Sequence, residues 1–572
     1  SMATNAQQPT PAPDHDAWKL FVFRKNRDLL PARELVTALQ KEIEGVLSGA
    51  GSALDALVRA GELETALADA ESHDERLLAR VTDRIAAYVA GEPAYLQEAL
   101  RDLQQLDSSI PLRCSHPEGF SYYGLNPLDF ADLTRRLLPQ LPREIAVIGI
   151  RSVGSTLGAV VLAVLRAARL NSERTTVRPQ GEPYQRSASF TAPQLAWIAE
   201  KLERGADFLV VDEGPGFSGS TFLCVAKALE LAGVPSARIV LLCSQPFTGR
   251  HGPAEEWGRF RSYVAHYGRR VPAEANRNMG GGYWREMLYG DESQWPACWT
   301  DLETVKHLSV DESALFKFEG FGRFGDNTRR RAQALADAGF SPRLLDKENG
   351  YSRYEFLSGR PLIRQDLNTE LLRRMAEYCA FRARYFTSPH ANPALLVNMM
   401  QVNLNEELAI ENPVSQVEIM QATEPDCRMM PHEWILTQDE RLVKTDGVAH
   451  AEGHQLPGPA DIAWDLAGII AEWNLSSAEG EFLLRQYQRL SSDDAAPRIL
   501  KYLLVYLVHR MSHCRMGAAA MQCWRDGPAL FREYRMYAQK VKVLLRNIRL
   551  VNAMNRKCVP ALLDLILKFT GT

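Results

Sequence analysis

Residues 208–221 read FLVVDEGPGFSGST. The run from Phe208 to Val211 is too apolar for a strand with one wet face, so it is expected to be covered on both sides, as in a parallel sheet. Two acids, Asp212 and Glu213, stand at its end, followed by Gly214, Gly216 and Gly219 interleaved with Ser218, Ser220 and Thr221. TFLCVAKALELAG then carries the apolar spacing of a helix. Glycines let the chain turn with its amide hydrogens inward, and the following helix adds the positive end of its dipole, so the turn can hold a phosphate without a lysine. Carboxylates beside such a cradle repel a bare phosphate but accept hydrogen bonds from vicinal hydroxyls. The expected ligand is a sugar phosphate.

Working outward, EIAVIGI from Glu144 to Ile150 is another buried strand, TTVRP starts a further one, and ARIVLLCS continues the pattern. LDFADLTRRLLPQL, APQLAWIAEKLERG and the stretch after Gly154 read as helices. Strand alternating with helix predicts an α/β fold, a mainly parallel sheet with helices on both faces and ligands at the carboxyl ends of its strands. At the end of the Glu144 strand, Gly149 to Ser155 forms a turn containing Arg151, Ser152 and Gly154, and Arg151 offers a forked cation. The intervening stretch from Arg174 to Arg186, RTTVRPQGEPYQR, is rich in Pro, Gly and Arg, and Arg178 and Arg186 suit a diphosphate.

The strand, two acids and Gly/Ser/Thr loop resemble the motif of type I phosphoribosyltransferases that binds 5-phosphoribosyl-1-diphosphate (PRPP). The resemblance implies that Asp212 and Glu213 hold the ribose hydroxyls and that Gly214 to Thr221 hold the 5-phosphate. The turn from Gly149 to Ser155 resembles that family's pyrophosphate loop, which implies that Arg151, Ser152 and Gly154 hold the leaving diphosphate. Glu as second acid and the ending SGST are departures from the commoner pattern that remove no donor or acceptor. The implied reaction is displacement at the anomeric carbon with release of diphosphate, Mg2+ as cofactor, and Asp212, Glu213 and Arg151 as the catalytic set. Residues 273–288, AEANRNMGGGYWREML, are the candidate hood over a base-like small-molecule acceptor, with Tyr283 and Trp284 available to stack.

After about Thr300 the pattern changes to short strands, a hairpin turning at Asn349 and Gly350, and many helices. The stretch from Ala314 to Leu475 resembles the aminoglycoside phosphotransferase and choline kinase group. That resemblance implies an α+β domain in which Lys317, within ALFKFEG, grips the phosphates of ATP or another nucleotide. Glu433 and Asp446, flanking WILTQDERLVKTD, would be magnesium ligands, and both offer oxygen as that ion requires. The group's catalytic loop is broken here: Arg428 stands where the catalytic Asp belongs, Asp426 is out of register, and Asp461 with Asp465 match a structural helix start. Nucleotide binding with little or no phosphate transfer is therefore expected. His432, His450 and His454 crowd the same region and offer a zinc site as the alternative.

A chain of 572 residues exceeds one ordinary hydrophobic core. The expected division is a disordered tail over 1–15, a helical region over 16–120, a phosphoribosyltransferase domain over 121–299 and a kinase-like domain over 300–572. The helical region is expected to act as a cap or as the surface of a homo-oligomer. A net charge of −4 supplies no field for nucleic acid. No apolar run reaches membrane-helix length, and SMATNAQQPTPAP lacks the regions of a signal peptide. Nine scattered cysteines suit a reducing cytoplasm. Two other roles use the same residues, a nucleotide- or PRPP-sensing regulator and a bifunctional phosphoribosyltransferase-kinase.

Overall fold

The computed structural model describes residues 17, 19–20, 28–92, 95–107, 109–181, 185–216, 218–265, 270–448, 457–522 and 524–551. The expected tail over 1–15, Tyr184, His450 and His454 lie outside them. The described chain opens with β1 (Asp28–Pro31), α1 (Ala32–Leu47), α2 (Ala53–Asp69), α3 (Glu75–Val89), α4 (Leu96–Leu103) and β2 (Pro111–Cys114), and β2 pairs antiparallel with β1. Their apolar faces, including Leu39, Leu57, Leu78 and Ile85, form one buried cluster with Val160 and Val164. α5 (Glu118–Ser121) and α6 (Pro127–Leu137) follow. α6 starts where the Asn126 side chain accepts the Leu128 amide at 2.9 Å and Pro127 needs no partner for a missing N–H.

The central layer runs β3 (Glu144–Ile150), α7 (Val153–Ala167), β4 (Asn171–Val177), α8 (Ala192–Glu203), β5 (Asp207–Val211), α9 (Ser220–Leu231), β6 (Ile239–Cys243), α10 (Ala254–Trp257) and β7 (Arg261–Val264). The strands form a parallel sheet in the order β4-β3-β5-β6-β7. Alternate residues of each strand enter different cores: Val147, Leu209 and Leu242 meet α6 and α7, whereas Ile148, Val210 and Leu241 meet α8 and α9. Both faces are apolar, which is why the strands read as continuous hydrophobic runs. Strand order reverses between β3 and β5, so their carboxyl ends border the crevice where such sheets bind ligands.

The second β unit comprises β8 (Ala275–Asn278), α11 (Trp284–Leu288), β9 (Lys306–Ser309), β10 (Ala314–Phe318), α12 (Gly322–Asp337), β11 (Leu344–Glu348) and β12 (Tyr351–Glu355). Its sheet is antiparallel in the order β11-β12-β10-β9-β8. Asn349 and Gly350 take positive φ at the β11–β12 turn, the backbone that an Asn-Gly pair tolerates. β13 (Gly359–Pro361), α13 (Thr369–Tyr385), α14 (Pro393–Leu408), β14 (Ala422–Thr423), β15 (Trp434–Thr437), β16 (Leu442–Lys444) and β17 (Ala460–Asp461) come next. The described residues close with α15 (Ala463–Glu472), α16 (Ser477–Ser491), α17 (Ile499–Ala520) and α18 (Asp526–Val551), packed around the buried Trp434, Trp464 and Trp473. Among the described residues no helix is long and apolar enough to cross a membrane.

β8 and α11 correct one expectation. The proposed hood, residues 273–288, begins as the edge strand β8, paired antiparallel with β9, instead of forming a separate cover, and its Ala275 packs against the core shared with the parallel sheet. Phe316, Phe318 and Tyr351 of the antiparallel sheet share that core with β3 and β5.

The N-terminal helices are fastened to the parallel sheet by charge as well as by packing. Arg174 of β4 forks onto Glu64 of α2 and also donates to Asp83 of α3 at 2.6 Å. Burial pushes Glu64 up to about 7 despite that guanidinium. Arg174→Met should therefore destabilise the protein by about 3 kcal/mol, because it strands the buried Glu64 and takes a partner from the half-buried Asp83. Adding Glu64→Gln should recover part of the loss, as read by denaturant unfolding.

Candidate functional site

The loop after β5 is shaped by its glycines. Gly214, Gly216 and Gly219 all have positive φ, and Gly219 caps α9 in the left-handed conformation. The Gly214 carbonyl accepts the amides of Ser244 and Gln245 at 3.0 and 2.9 Å, while its own amide donates to Ser244 Oγ at 2.9 Å. His251 closes the other side: Nδ1 accepts the Thr248 amide, so Nε2 carries the hydrogen and donates to the Gly216 carbonyl at 2.8 Å. Ser218 and Ser220 are hydroxyl partners at 2.9 Å, and Ser218 Oγ also accepts the Ser220 amide. The loop is thus held from outside, with the start of α9 at its inner edge.

The two acids stand where the sheet order reverses. Burial pushes Asp212 up to about 8, although the Glu213 amide, the Arg178 charge and the Gly154 amide each pull it back. The Glu213 carboxylate lies against Gly119 of α5, where a side-chain methyl would collide with it. Opposite, the turn from Arg151 to Gly154 packs onto β5 so closely that a methyl on Gly154 would meet the Val211 carbonyl. The Arg151–Ser152 peptide bond is cis.

Arg151 and Arg178, from the ends of β3 and β4, meet over one carboxylate. Asp69, the last residue of α2, accepts Arg178 Nε at 2.8 Å and Nη2 at 2.6 Å, and Arg151 Nη1 at 3.3 Å. Ser115 accepts Arg178 Nη2 at 3.0 Å, and Thr176 accepts Arg151 Nε at 3.0 Å. Both guanidiniums remain partly exposed, and the charge of Arg178 reaches Asp212. Arg186 lies on the side of α9, within electrostatic reach of Cys224. Gly154 and Arg178 thus lie near Asp212, and Arg151 is tied to Arg178 through Asp69, at the carboxyl ends of β3, β4 and β5. Asp69, Ser244, His251 and Gly119 were missed; each belongs to a stretch with no motif of its own.

A second cleft of about 230 Å3 lies between the antiparallel sheet and the β15–β16 hairpin. Lys317 of β10 and Lys306 of β9 both ion-pair with Asp446. Arg428 Nε sits 3.0 Å from Glu433, and Thr445 donates its amide to the Glu433 carbonyl at 2.8 Å, which brings the two acids together. Asp426 is sealed away: Lys444 approaches it at 3.0 Å, Tyr378 donates to it at 2.6 Å, and all three side chains are buried. His432 stacks on Trp284 at 5.7 Å, and burial with nearby Arg428 pushes it down to about 3. Asp465 accepts the amides of Asp426 and Cys427 at 2.8 and 2.9 Å, and Asp461 accepts Arg498, so both Asp residues hold the fold. Trp284, whose indole donates to Glu303 at 2.8 Å, lines this cleft rather than the first. Among the described residues no group of three His, Cys, Asp or Glu side chains gathers as a metal site.

No protein-family model matches the chain, and no curated protein matches it. Among solved structures, the choline kinase LicA from Streptococcus pneumoniae matches at 14% identity and a TM-score of 0.31, over 41% of this chain and 88% of its own. A choline/ethanolamine kinase family protein from Mesorhizobium loti matches at 12% identity and a TM-score of 0.29, over 46% and 90%. An ethanolamine kinase from Plasmodium vivax matches at 10% identity and a TM-score of 0.29, over 41% and 78%. Likenesses this faint leave the functional reading to the residues themselves.

Proposed function

We propose that this chain transfers a 5-phosphoribosyl group from PRPP to a base-like acceptor, releasing diphosphate. One observation carries the reading: where the strand order of a parallel sheet reverses, the two acids and the glycine-hydroxyl loop follow β5, while Arg151 and Arg178, at the ends of β3 and β4, share the Asp69 carboxylate, with Arg178 acting on Asp212. A ribose with a 5-phosphate and a 1-diphosphate has charge and hydroxyls in that arrangement. The Gly214 to Thr221 loop and the start of α9 take the 5-phosphate. Asp212 and Glu213 accept from the 2- and 3-hydroxyls, and Arg151 and Arg178 take the diphosphate. As the bond to diphosphate breaks, positive charge grows on the ribose ring beside the two carboxylates, which stabilise it through space. Magnesium would neutralise the diphosphate when bound.

For the second cleft the reading is nucleotide binding through Lys317, with Asp446 as its counter-ion, and without efficient phosphoryl transfer. Asp426 is locked by Lys444 and Tyr378, and Arg428 cannot accept a proton. Magnesium does not fit there, since both acids intended for it are already held by cations.

PRPP with magnesium should raise Tm by mass action, and Asp212→Asn with Glu213→Gln should abolish the rise. An undiminished shift in the double variant would contradict the ribose assignment. Because Asp212 is raised to about 8 and binds hydroxyls as the carboxylate, its ionisation must precede binding. PRPP affinity should therefore rise with pH by up to tenfold per unit below about 8 and level off above it, while Asp212→Asn flattens that region. Calorimetry across pH tests the sign. Arg151→Ala should weaken diphosphate binding about tenfold or more but leave ribose 5-phosphate binding nearly unchanged. Asp69→Asn should do the same more mildly, since it removes the carboxylate that lets two guanidiniums stand together.

A further inference from the structure

Lys306 and Lys317 are direct cross-strand partners on β9 and β10. Opposed like charges on neighbouring strands destabilise a sheet unless an anion stands between them. Here that anion is Asp446, delivered by the turn after β16, with its two oxygens each facing one ammonium. The side chains are only 13%, 14% and 16% exposed, so the arrangement is built into the cleft and is not a solvated surface pair. Lys317 also lies 5.2 Å above the Tyr354 ring. The triad carries a net charge of one positive unit, and each ammonium has three donors.

From this geometry we infer that the cleft binds a phosphate ester with an aromatic group, the chemistry of a nucleotide, by closing a ring of alternating charge with Lys306, Asp446 and Lys317 and without a divalent metal. A phosphate can bridge the two ammoniums while Asp446 stays between them. A magnesium ion at Asp446 would compete with two ammoniums for its oxygens, and at Glu433 with the Arg428 guanidinium. The rest of the cleft suits the remainder of such a ligand: Trp284, Met287 and Leu288 line one part, and Leu315, Leu335 and Phe356 another. The inference rests on the nucleotide reading of this cleft and departs from its expected dependence on metal.

The test is calorimetry of ADP with the full chain, in excess EDTA and in magnesium. The Asp212→Asn, Glu213→Gln double variant serves as background, so that the first crevice contributes little. ADP should bind in EDTA with an affinity within about threefold of that in magnesium, about half a factor of ten on a logarithmic scale. Lys306→Gln should weaken binding about tenfold or more in both buffers, the loss expected for a charge-assisted hydrogen bond. Lys306→Arg should retain most of the affinity, which separates lost charge from a damaged strand. Binding only in magnesium would overturn the inference and leave the nucleotide reading standing. Binding in EDTA that is indifferent to Lys306→Gln would also overturn it. No binding in either buffer would overturn both.

Discussion

Two guanidiniums, Arg151 and Arg178, meet at the carboxyl end of the parallel sheet because the Asp69 carboxylate lies between them. Without it, like charges brought together in a partly buried crevice would repel, and the side chains would swing toward water. Asp69 ends α2, and α2 is fixed to the sheet by its packing on α7 and by the Glu64–Arg174 pair. Thr65 of the same helix donates to Ser155 at 2.9 Å in the turn that carries Arg151. The helical region is thus a wall of the crevice, and the electrostatics of the first site depend on its exact seating.

The two clefts are joined by a short piece of backbone. Gly119 meets the Glu213 carboxylate, the neighbouring Phe120 carbonyl accepts the Phe321 amide at 3.0 Å, and Gly320 packs against Ser121. Gly320 and Phe321 follow β10, the strand carrying Lys317. A movement of Glu213 large enough to shift α5 would therefore press on the turn after β10. Contact of this kind supplies a route for coupling, while coupling itself requires two arrangements of the route that the two ligands favour differently.

What the sequence made legible was local. Buried parallel strands announce themselves because both faces are covered, and the loop from Asp212 to Thr221 is contiguous, so its acids, glycines and hydroxyls could be read as one unit. The Asn349-Gly350 turn was legible for the same reason. The partners of those residues were not. Asp69 reaches Arg178 across 109 residues, and nothing in LADAESHDE distinguishes an acid that will hold two arginines from one that faces water. The segment 273–288 misled because glycines followed by Tyr283 and Trp284 look alike over either cleft. Only the pairing of β8 with β9 decides which one receives Trp284.

The same distinction separates the two proposed phosphate sites. In the first, backbone amides and a helix start do the work beside carboxylates, so the local chemistry is written in one stretch and needs opposing arginines only for the second anionic group. In the second, charge is distributed over β9, β10 and the turn after β16, and Asp446 changes meaning with its neighbours. Read alone it is an oxygen ligand for a metal; bracketed by Lys306 and Lys317 it is a counter-ion that allows two cations to share one face of a sheet. The change follows from Lys306, a residue in a strand without a motif. A single cross-strand partner thus turns an acid that would read as a metal ligand into the counter-ion of two lysines.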